Sequence, residues 1–437
     1  MHHEMVETIV EAGLCMGCGT CAGVCSADAI AMAETPGGLL LPSVNRDVCT
    51  DCGLCAEVCP GWHLEQGIPE AVGDPFTGRV LAAYSGYAAE PGLRQRGQSG
   101  GVVTALLEHL LDAGLADQVV VTQMPDDGSL RPQPIRTADR DTIRLAVGSK
   151  YCPVPVMKTL GDAGNAGRRA AVVGLGCHLQ GLHNVLSLER GQETDVALTI
   201  GLFCEHVLAF GAMDYLIGRL GIARSDVASL RFKSKQWRGW PGDVSVRTQD
   251  GCDHFVDRSA RFICKGTFAP ARCRLCFDRL NVFGDLAVGD PWGMKASKEG
   301  DSIVLVRTAR GREALDSAAK AGGIRMEPVD PDAVFKGQAI EQRRLEWTAY
   351  TALWRNMGRE PPQFGIEPRW QASLEGVDLR PFRRRLGWAV RLEQAVSHEQ
   401  ALRMARRHIF LTEVLRRLTL RRVLAALWRR VKRKVGL

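Results

Sequence analysis

The sequence predicts a protein of the α+β / α/β class in three parts: a small cysteine-rich domain over residues 1–68, a mixed α/β domain over 80–343, and a helical extension over 344–437. Three observations carry this. Eight of the fifteen cysteines fall in two runs of identical spacing near the start. Between residues 80 and 343, short apolar runs end in glycine turns and pass into segments with helical period. Beyond Arg344 the apolar period is helical. At 437 residues, 45% hydrophobic and 24% charged, the chain has material for two or three cores, and a disordered or fibrous protein is excluded.

The start, MHHEMVETIVEAG, lacks the basic and apolar regions of a secretory signal, and no apolar run approaches the ~18 residues of a membrane span. A cytoplasmic protein is expected. Thiol buffers keep cysteines reduced there, so metal ligation is the first use to test. Cys15, Cys18, Cys21 and Cys25 form C-x2-C-x2-C-x3-C, and the spacing returns at Cys49, Cys52, Cys55 and Cys59, followed by Pro60. This is the two-cluster ferredoxin pattern, in which three thiolates of one loop bind one cubane and the fourth reaches the other. Cys15, Cys18, Cys21 and Cys59 are therefore assigned to one [4Fe-4S] cluster, and Cys25, Cys49, Cys52 and Cys55 to a second. Zinc would ask for two C-x2-C pairs per ion rather than two runs of four. Ser26 stands where the first run would usually have Pro. The segment between the runs reads as short strands around a Pro-Gly-Gly turn.

Residues 61–79, rich in Pro and Gly and without period, read as a linker. The stretch VLAAYSGYAAE then reads as a strand, RQRGQSGG as a glycine loop, and VVTALLEHLLDAG as a helix with Val102, Val103, Leu106, Leu107, Leu110 and Leu111 on its apolar face. Strand, glycine loop and helix together suit a phosphate: Gly100 and Gly101 let backbone approach an anion, and Ser99 is placed to cap the helix. AAVVGLGCHLQGLHNVL repeats the strand-turn-helix pattern. Leu179 occupies the place of the third glycine of a dinucleotide fingerprint, so a nicotinamide fold is rejected. Cysteines recur after apolar strands: Cys177 beside His178, Cys204 after DVALTIGLF, and Cys273 with Cys276 as C-x2-C. Buried structural thiols are the plain alternative for these four, and His178 and His183 read as polar residues of a helix face. The run RFKSKQWRGW offers Arg231, Lys233, Lys235 and Arg238 to an anion, with Trp237 and Trp240 to stack a planar ring. A solvated basic strand is the alternative.

The stretches QSGGVVTALL, GSKYC, VVGLGCHLQGL, GLFC, WRGWPG, CRLC and FGDLAVGDPWG, in this order from Gln98 to Gly293, resemble the coenzyme F-420 hydrogenase/dehydrogenase beta-subunit family. The resemblance covers residues 80–340 and extends to members with a fused two-cluster ferredoxin. It implies a flavin-binding α/β domain with FAD, and in some members an additional [4Fe-4S] cluster. Ser99, Gly100 and Gly101 match the family's flavin loop, and Gly148, Ser149, Lys150 and Tyr151 its GSKY segment. Asp285, Gly289 and Asp290 match the acidic strand and turn, with an implied part in shaping the flavin site. Cys177, Cys204, Cys273 and Cys276 fall on the family's cysteine positions, where a third cluster is implied. The turn reads GLGC rather than Pro-Cys, Cys152, Cys252 and Cys264 are extra, and Cys264 is the substitute ligand to consider. Lys233, Lys235, Arg238 and Trp240 are the candidate substrate contacts.

The function expected is an iron-sulfur flavoprotein oxidoreductase. It would pass electrons between one-electron carriers and FAD, then to a two-electron partner such as a deazaflavin. An electron-relay subunit of a larger complex, and a ferredoxin-dependent reductase of a tetrapyrrole-type substrate, stand beside it. Expected partners are a ferredoxin or a redox partner subunit. Twelve Lys and Arg against one Glu give residues 403–437 a charge of +11 within a chain total of +7, leaving −4 for residues 1–402. That distribution argues against nucleic acid. Leu420, Val423, Leu424, Leu427, Trp428, Val431 and Val435 recur at helical spacing opposite a basic arc. Such a helix suits peripheral contact with an anionic membrane, an acidic partner, or packing on the body.

Overall fold

The computed structural model describes residues 5–64, 72–161, 167–188 and 195–414. The basic helix expected at 420–435 lies outside these residues. Among them, no helix is long and apolar enough to cross a membrane.

The first cysteine run and the second each end in a single helical turn, Thr20–Gly23 and Leu54–Glu57. Between them β1 (Ile30–Glu34) pairs antiparallel with β2 (Leu40–Val44) around the Pro-Gly-Gly turn, as the sequence predicts. The sequence-predicted strand and helix that follow are β3 (Ala82–Ala88) and Val102–Asp112, the latter burying Val102, Leu106, Leu107 and Leu110.

One eight-stranded mixed sheet organises the middle of the chain. Its members are β3, β4 (Gln118–Gln123), β5 (Gln133–Thr137), β6 (Ala170–Gly174), β7 (Val196–Leu202), β11 (Leu286–Gly289), β12 (Ser302–Val306) and β13 (Ile324–Pro328). Their order is β13-β3-β12-β11-β7-β6-β4-β5. The central four, β4, β6, β7 and β11, are parallel, and antiparallel strands flank them on both sides. The central strands carry apolar runs, Val119–Val121 in β4 and Leu286–Val288 in β11, as strands covered on both faces do, and every residue of the flanking β12 is buried. In such a sheet the crevice beyond the carboxyl ends of the parallel strands is the natural ligand position.

A second sheet, β8 (Val227–Ser234), β9 (Asp243–Thr248) and β10 (Asp253–Val256), is wholly antiparallel. Phe232, Val244 and Val246 of this sheet share a core with Phe210, Phe268, Trp388 and Leu392.

Two boundaries differ from expectation. The described residues of the segment read as a linker are packed: Phe76 is wholly buried between Phe277 and Trp347, and Arg344 pairs with Asp74 at 2.6 Å. One large aromatic ring in a Gly- and Pro-rich stretch is enough to anchor it. The C-terminal helices Ile340–Asn356 and Arg380–Glu393 are likewise not an appendage. Tyr350, Trp354, Phe382 and Leu386 form one core with Ile9 and Leu14 of the cysteine-rich domain and Leu275 of the central one.

Candidate functional site

Cys59 comes back from the second cysteine run to stand with the first. The thiols of Cys15, Cys18 and Cys59 are charged neighbours, and Cys21 faces all three. Burial pushes the Cys15 thiol up to about 12, and burial together with Cys18 and Cys15 pushes Cys59 up further. Cys55 has Cys52 and Cys49 as its neighbours, and Cys25 packs against the small core that contains Cys55 and Cys21.

A third quartet gathers deeper in the molecule. Cys177 opens the helix Gly176–Leu186 after β6, and Cys204 follows β7. Cys273 and Cys276 flank the end of the short helix Ala271–Arg274. Burial raises the Cys177 thiol well above its ordinary value, and Cys18, Cys204, Cys276 and Cys273 raise it further. Burial likewise pushes Cys273 up to about 11. Burial raises Cys204 as well, and thiols held up in this way stay protonated unless a cation takes the charge, which is the chemistry of a metal-cluster ligand set. Among the described residues no three His, Cys, Asp or Glu converge on a single metal ion. A cubane asks for something wider, one thiolate to each of four irons. The donor sets fit that group.

The C-terminal helices hold the Cys273–Cys276 turn. Arg343 Nη2 donates to the carbonyl of Cys273 at 3.1 Å, Trp347 Nε1 to that of Leu275 at 3.1 Å, and Glu393 accepts the N–H of Ala271 at 2.6 Å. Cys264 lies elsewhere. It is fully buried in the core beside the three-stranded sheet, so it is no substitute ligand.

A cavity of about 460 Å³ runs from the third quartet to the glycine loop before Val102. Gly174, Leu202 and Gly289 line it from the carboxyl ends of β6, β7 and β11. All four cysteines of the inner quartet border it, as do Ser99, Gly101, Gly148, Ser149, Lys150, Tyr151 and Asp290. Burial brings the Lys150 ammonium down to about 7, with Arg231 adding to the effect. Its Nζ donates to the carbonyl of Gly148 at 2.9 Å.

Three of the sequence candidates do not line this cavity. Gly100 is glycine because backbone approaches it: an added Cβ would lie 2.4 Å from the carbonyl oxygen of Gly86. Asp285 accepts from the N–H and hydroxyl of Thr199, both at 2.8 Å, and pairs with Arg310 at 2.7 Å. It ties β7 to the helix Ala309–Lys320 instead of facing a ligand. Lys235 spends its ammonium on the carbonyls of Arg94, Ser99 and Glu299, and so shapes the glycine loop from outside.

The basic run divides in the same way. Lys233 reaches the cavity, buried and paired with Asp290, its Nζ 5.5 Å from the Tyr151 ring centroid and 5.7 Å from that of Trp292. Arg238 turns to Asp243 and Asp257, Trp237 is half exposed against Phe255, and Trp240 stands behind the cavity, donating to Asp290 at 3.2 Å. His178 is neutral, its Nδ1 accepting from the Leu175 N–H at 3.0 Å, and burial lowers it to about 4. It is a structural residue.

Sequence reasoning missed Arg261. It lines the cavity from the helix Arg258–Phe268 and is 1% exposed. Its Nη1 donates to the carbonyl of Phe232 at 2.9 Å, while Nε and Nη2 have no partner among the described residues. Buried unpartnered guanidinium nitrogens at a cavity wall, with Lys150 and Lys233 nearby, fit an anionic ligand such as a phosphate-bearing cofactor. No motif surrounds Arg261 in the sequence that would have marked it.

Three cysteine quartets and one cavity at the carboxyl ends of a parallel sheet define an iron-sulfur redox protein of the oxidoreductase class. Residues 14–61 match the 4Fe-4S dicluster domain. Residues 83–161 and 167–332 match, in order, the N-terminal and C-terminal parts of the coenzyme F420 hydrogenase/dehydrogenase beta subunit. The chain belongs to that family, with the dicluster domain fused at its N-terminus. It is similar to the coenzyme F420-dependent sulfite reductase of Methanocaldococcus jannaschii, 26% identical over 81% of this chain and 54% of that protein. The chain thus spans about half the length of that relative. It is also similar to the coenzyme F420 hydrogenase subunit beta of Methanococcus voltae, 26% identical over 59% of this chain and 87% of the relative. A chain of the F420-reducing [NiFe] hydrogenase complex from Methanosarcina barkeri shares the fold over 62% of this chain and 92% of its own, with a TM-score of 0.50 at 23% identity.

Proposed function

We propose that this chain is the electron-relay subunit of a larger redox assembly, meeting one-electron carriers at its N-terminal domain and a two-electron partner at the cavity. The observation that supports this most is the position of Cys177. It has Cys18 of the N-terminal domain as one charged neighbour and Cys204, Cys273 and Cys276 as the others. All four of the inner set border the cavity that Ser99, Lys150 and Lys233 also line.

Filled cysteine quartets supply one-electron transfer, and FAD, the cofactor proposed for the cavity, supplies the exchange between one- and two-electron chemistry. The chain's own residues bind and orient. Ser99, Gly101, Gly148 and Ser149 offer small polar and backbone groups, and Arg261 offers charge to a phosphate. The neighbouring Asp290 overcomes the burial of Lys233 and raises its ammonium above the ordinary value, so a proton is held at Nζ. A deazaflavin is the two-electron partner proposed, because relatives are named for coenzyme F420 and the cavity wall is cationic.

Anaerobic purification followed by iron, sulfide and flavin assays tests the reading. Three quartets predict about twelve irons per chain, with one FAD. The double variant Cys177→Ser/Cys204→Ser should retain about eight. A wild-type chain with about eight irons and no flavin would defeat the proposal.

A further inference from the structure

Arg272 stands immediately before Cys273 and is 2% exposed. Its guanidinium reaches across to the N-terminal domain. Nε donates to the carbonyls of Leu14 at 3.0 Å and Gly61 at 3.3 Å, and Nη2 to those of Gly61 at 3.1 Å and Pro60 at 3.4 Å. Leu14 precedes Cys15, and Pro60 and Gly61 follow Cys59. One side chain therefore grips the backbone at both ends of the ligand set Cys15, Cys18, Cys21 and Cys59 while its own backbone carries a ligand of the inner quartet.

Among the described residues Arg272 makes no ion pair with a carboxylate, and Nη1, though buried, has no partner. The ionisable groups nearest its charge are Cys276, Cys273, Cys59 and Cys177, drawn from both quartets. Three carbonyls and the Phe364 ring, its centroid 5.4 Å from Cζ, solvate the guanidinium in part, but a buried cation without a negative partner is unfavourable. Thiolate-borne negative charge on either side is the compensation this neighbourhood offers. Arg274, two residues on, is directed differently, to the carbonyl of Gly266 at 3.4 Å, so the placement belongs to Arg272 and not to the basic character of the segment.

We infer that Arg272 is a positioning residue that sets the reduction potentials of the two cluster sites on either side of it and keeps them paired for transfer. This rests on the reading that both quartets hold clusters. The physical reason is charge alone: each one-electron reduction adds a negative charge to a buried site, and a fixed cation shared by two such sites favours the reduced form of both. The quartet Cys25, Cys49, Cys52 and Cys55 does not neighbour Arg272 and is the internal control.

The test is a redox titration of the anaerobically purified full-length chain, followed by electron paramagnetic resonance, for the wild type, Arg272→Gln, Arg272→Met and Arg272→Lys. The neutral variants should lower two midpoints by at least about 59 mV, a tenfold change in a one-electron equilibrium constant, while the third moves less. Arg272→Lys should keep both within that interval. Twelve irons with unmoved midpoints in the neutral variants would overturn the inference while leaving the relay reading intact. About eight irons in the wild type would remove the inner cluster and this inference with it, and the relay reading falls too where flavin is also absent. Should the neutral variants lose their iron, Arg272→Lys decides, because a tenfold or larger fall at both sites with the charge retained contradicts an electrostatic role.

Discussion

Arg261 shows how a single side chain can define a binding wall. It enters the cavity almost fully buried, satisfies one nitrogen on Phe232, and leaves Nε and Nη2 without partners among the described residues. Lys235 and Arg238, which look equally suitable on paper, are consumed by carbonyls and by Asp243 and Asp257. On the proposed reading the anion contact falls to Arg261 rather than to the basic run, whose Lys233 is likewise paired, with Asp290. Removing one charge-assisted hydrogen bond costs about 1.5–3 kcal/mol. Arg261→Met should accordingly weaken flavin binding roughly ten- to hundredfold, and Arg261→Lys by less. Equilibrium quenching of flavin fluorescence measures this directly. An unchanged dissociation constant in Arg261→Met would place the ligand's phosphates elsewhere.

At the scale of elements, the helix Arg380–Glu393 supports a turn more than a hundred residues away. Its last residue, Glu393, accepts the N–H of Ala271 and so caps the short helix that carries Cys273. Burial raises the Glu393 carboxyl to about 7 from an ordinary value near 4.5, despite Arg274 and Arg359 nearby. The folded state thus favours the protonated form. The stabilisation is full below pH 4.5 and is lost as pH rises toward 7 and beyond, by about 2 kcal/mol between pH 5 and pH 8. Glu393→Gln keeps an acceptor for Ala271 and cannot ionise, so its urea midpoint should fall less than the wild type's over that interval. Parallel pH profiles for the two proteins would refute the assignment. Elements of this kind mark where sequence reading stops. The ferredoxin-type repeat, β3, the helix Val102–Asp112 and the strand-turn positions of Cys177 and Cys204 were legible, because local spacing and period determine them. Glu393, Arg261, Arg272 and Phe76 were not, because each acquires its role from a segment distant in sequence. Apolar pattern also cannot tell a docked helix from a free one, so the helices Ile340–Asn356 and Arg380–Glu393 looked separate when they are a buttress.

Across the whole molecule, the N-terminal domain is seated in the body and not tethered to it. Gly181 of the helix Gly176–Leu186 lies so close to Thr20 that an added Cβ would stand 2.1 Å from Thr20 Oγ1 and 3.1 Å from its Cβ. Val24 and Val58 pack on Val185, and the Met157 N–H donates to the carbonyl of Cys18 at 3.0 Å. Trp354 and Tyr350 close the far side over Ile9 and Leu14. Shared cores of this kind should unfold together, so in the loaded wild-type protein visible cluster absorbance and far-ultraviolet circular dichroism should be lost at the same denaturant concentration. Gly181→Ala forces Thr20 away from the helix, an overpacking that costs about 1–3 kcal/mol, and should lower that shared midpoint. Adding Thr20→Ala removes the 2.1 Å clash but also the contact of Thr20 Oγ1 with Cys18 Sγ at 3.2 Å, so the double variant should recover only part of the loss. Two separate transitions in the wild type, or an unshifted midpoint in Gly181→Ala, would mean that the N-terminal domain folds as an independent carrier and that the close seat of Cys18 beside Cys177 is not held by packing.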